Sequence, residues 1–409
     1  MNRSVVVVGA SLGGLRAAEQ LRAHGFDGEI TVVGEEPYAP YNRPPLSKEA
    51  LAGDTSADAS SLHRTLAFRA KHSVADVTWV LGARVESASL ASRTLVLSDG
   101  RTLHFDGLVA ATGLRPRRIP NLEPARGRHV LRTIDDAVGL RADLHAGQRV
   151  VVVGGGFIGC EVASTAHALG AHVTVVEPLT VPMVRGVGED LGGALMRHHI
   201  GCGVTFITGQ GVATLRPGES DHGRVGGVVL DDGTTLPADV VVESVGSHPN
   251  VEWLAGNGLD LTDGLLCDNH MRVEGRSDFV AVGDVARFPN PDFGVVARRV
   301  EHWSIPSDTA RRGAQSLSSY LHGSPVADTV FTPLPAFWSD QFGLRLQSFG
   351  APGLADRVEV IDGDLSDLPS GVATGYHLGD RLVGVLLINV PTAQHSYYRS
   401  LVLPQPHLV

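Results

Sequence analysis

Cysteine is scarce in this chain, with three residues in 409: Cys160, Cys202 and Cys267. They stand far apart, with no C-x-x-C and no even set. Neither a disulfide framework nor a cysteine-bound zinc or iron–sulfur centre can be built from them, and chemistry through a redox-active cysteine pair is excluded. Positive charge is also short, 34 Lys and Arg against 44 Asp and Glu, a formal net charge of −10. A general nucleic-acid binder needs a basic surface to neutralise phosphates, so no nucleic-acid partner is expected. No apolar run approaches the roughly 20 residues of a membrane span. The apolar stretch Val5–Gly9 runs into a glycine turn rather than a cleavage site, so the chain reads as cytoplasmic, without a membrane partner. The histidines, His198-His199 included, lack metal spacing such as H-E-x-x-H, and no metal is assigned.

What the chain does have is 43% apolar residues, 49 glycines and an ordinary 19% of charged residues, the composition of a globular α/β protein. Its length implies two or three domains. Ser4–Val8 is a short β-branched run ending at Gly9, followed by helical character from Gly13 to about His24 and a second strand, Glu29–Val33. That is one βαβ unit of about 30 residues. The pattern recurs in Arg149–Val153, the turn Gly154–Gly159, a helix through Leu169 and the strand His172–Glu177. Phe279–Asp284 reads as one more strand ending at a functional turn, as if the first fold resumed near Ser244 after an inserted second domain. From about 326 onward, short strand candidates such as Val358–Ile361 and Leu382–Ile388 suggest a separate α+β domain. The expected fold class is therefore α/β, with two Rossmann-like dinucleotide-binding domains, the second inserted in the first, plus a C-terminal α+β domain.

The second turn, Gly154-Gly-Gly156-Phe157-Ile158-Gly159, satisfies G-x-G-x-x-G between a strand and a helix. Gly154 permits the tight turn, Gly156 lets backbone approach a pyrophosphate, and Gly159 allows close helix–strand packing, while the helix N-terminus favours the phosphates. Glu177 closes the next strand, where a carboxylate accepts hydrogen bonds from ribose hydroxyls and repels a 2′-phosphate. That favours NADH over NADPH; a merely solvated strand end is the alternative. The first turn, Gly9-Ala-Ser11-Leu-Gly13-Gly14, departs from the fingerprint because Ser11 occupies the middle glycine. A serine is small enough to be tolerated beside a pyrophosphate and can donate to it, and Glu35 stands in the ribose-binding place. Two such folds suggest one tightly held cofactor and one that exchanges, and hydride transfer from nicotinamide to flavin is the economical pairing.

The residues Tyr41–Lys48, Ala111-Thr112-Gly113, Val282-Gly283-Asp284-Val285, Glu301-His302-Trp303 and Phe337–Gln341 occur in order along the whole chain. Together they resemble the single-chain ferredoxin reductases that serve bacterial cytochromes P450 and ring-hydroxylating dioxygenases. That resemblance implies an FAD domain from 1–114 and 245–325, an NAD domain at 115–244 and a C-terminal domain at 326–409 covering the flavin. It implies FAD contacts from Gly9, Ser11, Gly13, Gly14, Glu35, Arg43, Lys48, Val85, Ala111, Thr112, Arg132, Gly283, Asp284, Trp303 and Trp338. Asp284 would accept from ribityl hydroxyls, Arg43 and Lys48 would offset pyrophosphate charge, and Trp303 and Trp338 would offer flat surfaces beside the isoalloxazine. Taken singly, such tryptophans are more often core residues.

NADH contacts are expected at Gly154, Gly156, Phe157, Ile158, Gly159, Glu161, Glu177 and Gly246. Lys48 and Glu161 resemble a flavin-proximal ion pair where the nicotinamide approaches. Neither is an acid or base, because hydride passes directly between the two cofactors and no residue need transfer a proton. In Val245–Asn250, Gly246 matches the family while His248 departs from it, a position where a solvated loop histidine is the ordinary reading.

FAD takes two electrons and releases them singly, which suits a [2Fe–2S] ferredoxin. Arg298, Arg299, Arg311 and Arg312 flank Trp303 in sequence and form a candidate basic patch for an acidic partner, against the alternative of a solvated helix face. The reading is an NADH:ferredoxin reductase supplying an oxygenase. Its rivals are an NADH oxidase or peroxidase, which would normally use a reactive cysteine near the flavin, and a non-enzymatic flavoprotein that senses NADH.

Overall fold

The computed structural model describes residues 3–53, 58–120, 122–123 and 126–403. The chain divides into two compact units, Met1–Asn42 with Leu66–Arg115 and His248–Ala336, and Arg43–Thr65 with Pro116–Ser247 and Phe337–Val409.

In the first unit five parallel strands form a sheet in the order Phe279–Ala281, Gly107–Ala110, Ser4–Val8, Glu29–Gly34, Thr78–Leu81. The run of valines in Ser4–Val8 reflects its central place, because a parallel strand covered on both faces needs apolar residues at every position. Val5 and Val7 face a core completed by Leu15 and Leu21 of the helix Leu12–Ala23 and by Ala314 and Leu317 of the helix Ile305–His322. Val6 and Val8 face a second core, with Leu95, Leu97, Phe105 and Phe288. Phe279–Ala281 does rejoin the first sheet, pairing in register with Leu108–Ala110.

The second unit repeats the plan. Its parallel sheet runs Thr205–Thr208, His172–Glu177, Arg149–Val153, Val240–Glu243, Arg128–His129, with the helix Phe157–Ala168 after the central strand. Its C-terminal part adds a five-stranded sheet in the order Ala336–Gln341, Leu344–Gly350, Arg381–Ile388, Val372–Leu378, Arg357–Asp362. The expected strands at Val358–Ile361 and Leu382–Ile388 lie inside the last-named edge strand and the central one. The α/β class with two Rossmann-like folds and a C-terminal domain is thus found. Among the described residues, no helix is long and apolar enough to cross a membrane.

Two glycines separate packing from propensity. A Cβ on Gly14 would lie 1.9 Å from the Gly9 carbonyl oxygen, whereas one on Gly139, inside the helix Ile134–Asp143, would meet nothing within 4 Å. Gly139→Ala should therefore stabilise the protein by about 0.5–1 kcal/mol through helix propensity. Gly14→Ala should lower the thermal midpoint and impair cofactor retention, and thermal unfolding of both variants checks the contrast.

His199 makes a second prediction. It is fully buried, with its ring 4.5 Å from that of Phe342 and 5.9 Å from that of Phe206, and neither ring nitrogen has a hydrogen-bond partner among the described residues. Burial, with a smaller push from His198, lowers its pKa from 6.5 to about 3. The folded value lies below the unfolded one, so the unfolded chain binds the proton first as pH falls. The stabilisation from neutral His199 is complete above about pH 6.5 and is lost progressively toward about pH 3. Denaturant midpoints measured across that window should fall with pH, and His199→Phe should make the fall shallower.

Candidate functional site

The two glycine turns are built alike. Gly9 has φ +116° and Gly154 φ +101°, in the region that favours glycine. A Cβ on Gly9 would sit 2.1 Å from the Ala111 carbonyl oxygen, and one on Gly154 would sit 2.3 Å from that of Ser244. Gly159 repeats the role of Gly14, with its Cβ position 2.0 Å from the Gly154 oxygen. Gly156, by contrast, faces open space, with nothing within 4 Å. That is the room a pyrophosphate needs against bare backbone. The helices Leu12–Ala23 and Phe157–Ala168 both lack an acidic residue in their first turn, so their positive N-terminal ends are not neutralised in advance. These features fit bound dinucleotides in both turns.

Around the first turn, Ser11 is the extended residue that caps the helix, while Gly13 meets Val282 and Ala111 only at ordinary contact distance. Gly34 is a requirement that sequence reading missed, because its Cβ would fall 2.4 Å from that of Ala10. Glu35 is exposed and lies 3.8 Å from Arg84, and Val85 is buried at the start of its strand. Thr112 donates to the Asn250 carbonyl at 2.7 Å, and Asn250 Nδ2 returns a bond to the Thr112 carbonyl at 3.0 Å. Asn250 was also missed as an anchor of the Ala111–Gly113 segment; its only signal was its place in the stretch after Gly246. Gly283 has φ +75° and donates to Thr309 Oγ1, and half-buried Asp284 follows in the short helical turn Gly283–Val285. Trp303 is 46% exposed, beside a His302 whose pKa burial lowers to about 4.

In the second unit Arg43 Nη1 donates to the Arg132 carbonyl at 2.7 Å, joining two of the expected residues. Lys48 Nζ lies 2.6 Å from the Glu161 carboxylate. Ser47 and Ser339 also donate to Glu161, each at 2.6 Å, two partners that sequence reading missed. Trp338 is half-buried in the strand Ala336–Gln341.

Glu177 is buried rather than solvated. Its carboxylate accepts from the backbone N–H of Gly155 at 2.6 Å and of Leu179 at 3.0 Å. A carboxylate has about four lone-pair sites, so two backbone donors orient it and leave acceptor capacity for ribose hydroxyls. Phe157 packs edge-on to Phe337 at 4.8 Å, whereas Ile158 is 49% exposed at the helix start. Gly246 has φ +95° and is exposed; His248 is exposed too, on the short strand Ser247–Pro249.

The proposed basic patch needs correction. Arg312 is buried, and its guanidinium is spent on the Asn269 and Thr329 carbonyls, the Thr329 hydroxyl, Gln315 and His270 Nδ1. Arg299 is paired with Asp263 and Glu301. Neither is available to steer a partner. Arg298 is exposed, and Arg311 is exposed with a loose 3.7 Å pair to Asp308. Cys160 and Cys267 are fully buried, which pushes both thiols up and away from thiolate reactivity.

Residues 3–309 match the pyridine nucleotide-disulphide oxidoreductase family and residues 336–404 match the reductase C-terminal family. The chain belongs to the pyridine nucleotide-disulphide oxidoreductase family. It is 36% identical to putidaredoxin reductase of Pseudomonas putida, over 95% of this chain and 89% of that protein. It is 38% identical to the ferredoxin–NAD(+) reductase component of the p-cumate 2,3-dioxygenase system of Pseudomonas putida, over 87% of this chain and 83% of that one. Among solved structures, the covalent putidaredoxin reductase–putidaredoxin complex superposes with a TM-score of 0.87 at 33% identity, covering 98% of this chain and 93% of the other. The resemblance read from the sequence is thereby established.

Proposed function

We propose that this chain is an FAD-containing NADH:ferredoxin reductase of the cytoplasm, passing electrons from NADH to a [2Fe–2S] ferredoxin that supplies a cytochrome P450 or another oxygenase. The observation that carries the reading is the pair of like-built glycine turns in a chain that matches reductases of ferredoxin systems over 95% or more of its length. Bound FAD supplies the chemistry, accepting hydride from the nicotinamide and releasing electrons one at a time.

The residues of the chain bind, orient and exclude water. We take the FAD domain as 1–114 and 245–325, the NAD domain as 115–244 and the C-terminal domain as 326–409. Gly9, Ser11, Gly13 and Gly14 cradle the FAD pyrophosphate, Glu35 holds its ribose, Val85 borders the adenine, Asp284 accepts from the ribityl hydroxyls, and Ala111, Thr112 and Gly283 are further FAD contacts. Arg43, Lys48 and Arg132 lie beside the cofactor, with Trp303 and Trp338 against the ring system. Gly154, Gly156 and Gly159 receive the NADH pyrophosphate, Glu177 the adenosine ribose, and exposed Ile158 with Phe157, Glu161 and Gly246 borders the nicotinamide end. Buried, protonated thiols at Cys160 and Cys267 favour this reading over a cysteine-dependent oxidase or peroxidase.

The deciding experiment is cytochrome c reduction by the purified yellow protein with NADH, with and without a [2Fe–2S] ferredoxin from the same organism. A large rate increase requiring the ferredoxin is expected; fast NADH consumption with oxygen alone, unchanged by ferredoxin, sinks the proposal. Glu177→Ala should lower kcat/KM for NADH by about tenfold or more and that for NADPH by less, since both nucleotides lose the anchored Gly155 turn but only NADH loses bonds to its ribose hydroxyls. An unchanged NADH preference removes Glu177 from the ribose site. For docking, Arg311→Glu should raise the KM for ferredoxin several-fold and flatten its salt dependence, leaving direct reduction of ferricyanide by NADH intact.

A further inference from the structure

Glu161 is 6% exposed, and three donors from two stretches of chain converge on its carboxylate. Lys48 Nζ and Ser47 Oγ reach Oε2, each at 2.6 Å, and Ser339 Oγ reaches Oε1 at 2.6 Å. Glu161 stands on the helix that follows the second glycine turn, and Ser339 on the strand Ala336–Gln341. Thr165, one helical turn on, donates to the Ser47 carbonyl at 2.7 Å and fixes the backbone that presents Ser47 and Lys48.

The direction of the Ser339 bond is set by its other neighbour. Gln341 Nε2 donates to Ser339 Oγ at 3.1 Å, and the same amide nitrogen lies 3.5 Å from Met183 Sδ. A serine hydroxyl carries one hydrogen. With an amide N–H already pointing at its oxygen, Ser339 directs that hydrogen to Glu161. Oε1 has no other donor among the described residues, so loss of the hydroxyl strips one oxygen of a buried carboxylate while the other still holds Ser47 and Lys48. Leaving a buried charged acceptor unsatisfied is costly, and the group re-orients or admits water to recover a donor.

We propose that Ser339 is a positioning residue: by holding Oε1 it fixes the Glu161 carboxylate, and through it the Lys48 ammonium, in the position from which that ammonium acts on the flavin. The inference rests on the reading that Lys48 lies beside FAD. It gives the C-terminal sheet a part in the electrostatics of the cofactor. Ser348, on the adjacent strand Leu344–Gly350, supplies the contrast. It is fully buried as well, but its hydroxyl has no hydrogen-bond partner among the described residues.

The test uses the FAD-loaded protein and five variants, Ser339→Ala, Ser339→Thr, Ser348→Ala, Gln341→Met and Lys48→Met. Three properties are measured for each: thermal midpoint, flavin midpoint potential by equilibrium titration, and the stopped-flow rate of flavin reduction by NADH. Ser339→Ala should move the potential in the same direction as Lys48→Met and slow flavin reduction about tenfold, the scale of one hydrogen bond to a charged group. Ser339→Thr, which keeps the hydroxyl, and Ser348→Ala should keep the wild-type potential. If Ser339→Ala fails to retain FAD, Gln341→Met serves instead, with a smaller shift of the same sign. A potential moved by Lys48→Met but by neither Ser339→Ala nor Gln341→Met overturns the inference about Ser339 alone. A potential unmoved by Lys48→Met overturns the flavin-proximal reading of Lys48, and the inference with it.

Discussion

The close approach of a glycine to a carbonyl at the end of a neighbouring strand is the constraint on which both halves of this protein depend. Gly9 is pressed against Ala111, and Gly154 against Ser244, at distances no Cβ tolerates. In each case the last glycine of the turn is pressed in turn against the first. The geometry draws the helix start down onto the strand ends, so that backbone N–H groups and an unneutralised helix N-terminus converge in the manner that suits a pyrophosphate. The repetition of one contact pattern at two places in the chain explains how the first turn keeps its shape with a serine at its centre. The glycines that packing demands are the outer ones. Gly156, the counterpart of Ser11, contacts nothing within 4 Å, so a small side chain there costs no fold.

Buried carboxylates are the second theme. Glu161 and Glu177 flank the second turn, each with its oxygens held by N–H, O–H or ammonium donors. A carboxylate out of water is tolerable only with such partners, and once they are in place its orientation is fixed. That rigidity suits a protein whose task is positioning and electrostatics rather than proton transfer. Two of the three cysteines fit the same picture, because burial pushes the Cys160 and Cys267 thiols up and disfavours their thiolates.

Much of the fold was legible in the sequence because parallel central strands carry unbroken β-branched runs and end at glycine. Ser4–Val8, Arg149–Val153 and His172–Glu177 were read with the boundaries the structure has, and Phe279–Asp284 was recognised as a return to the first sheet, although its strand ends at Ala281 and Gly283–Val285 is a helical turn. The Lys48–Glu161 pair could be named because Lys48 closes the Tyr41–Lys48 block, Glu161 stands two residues past Gly159, and the family resemblance joins them. Ser47, Ser339 and Asn250 lie inside stretches the sequence singles out but received no role there, because serine and asparagine are common and their value lies only in what they face. The arginine patch failed for a related reason. Adjacent positions on a helix point about 100° apart, so Arg311 can meet solvent while Arg312 turns inward to satisfy backbone carbonyls.

By itself the sequence determined the chemistry that depends on residue type and local spacing: glycines where φ is positive, an acid at a strand end, no cysteine pair, and hence two dinucleotide folds without thiol chemistry. Only the tertiary structure decided which charges are spent internally and which are left for a partner, and which hydroxyls hold Glu161. Those outcomes turn on contacts that residue spacing does not reveal, from Arg312 with Asn269 and Thr329, 43 and 17 positions away, to Ser47 and Ser339 with Glu161, 114 and 178 positions away.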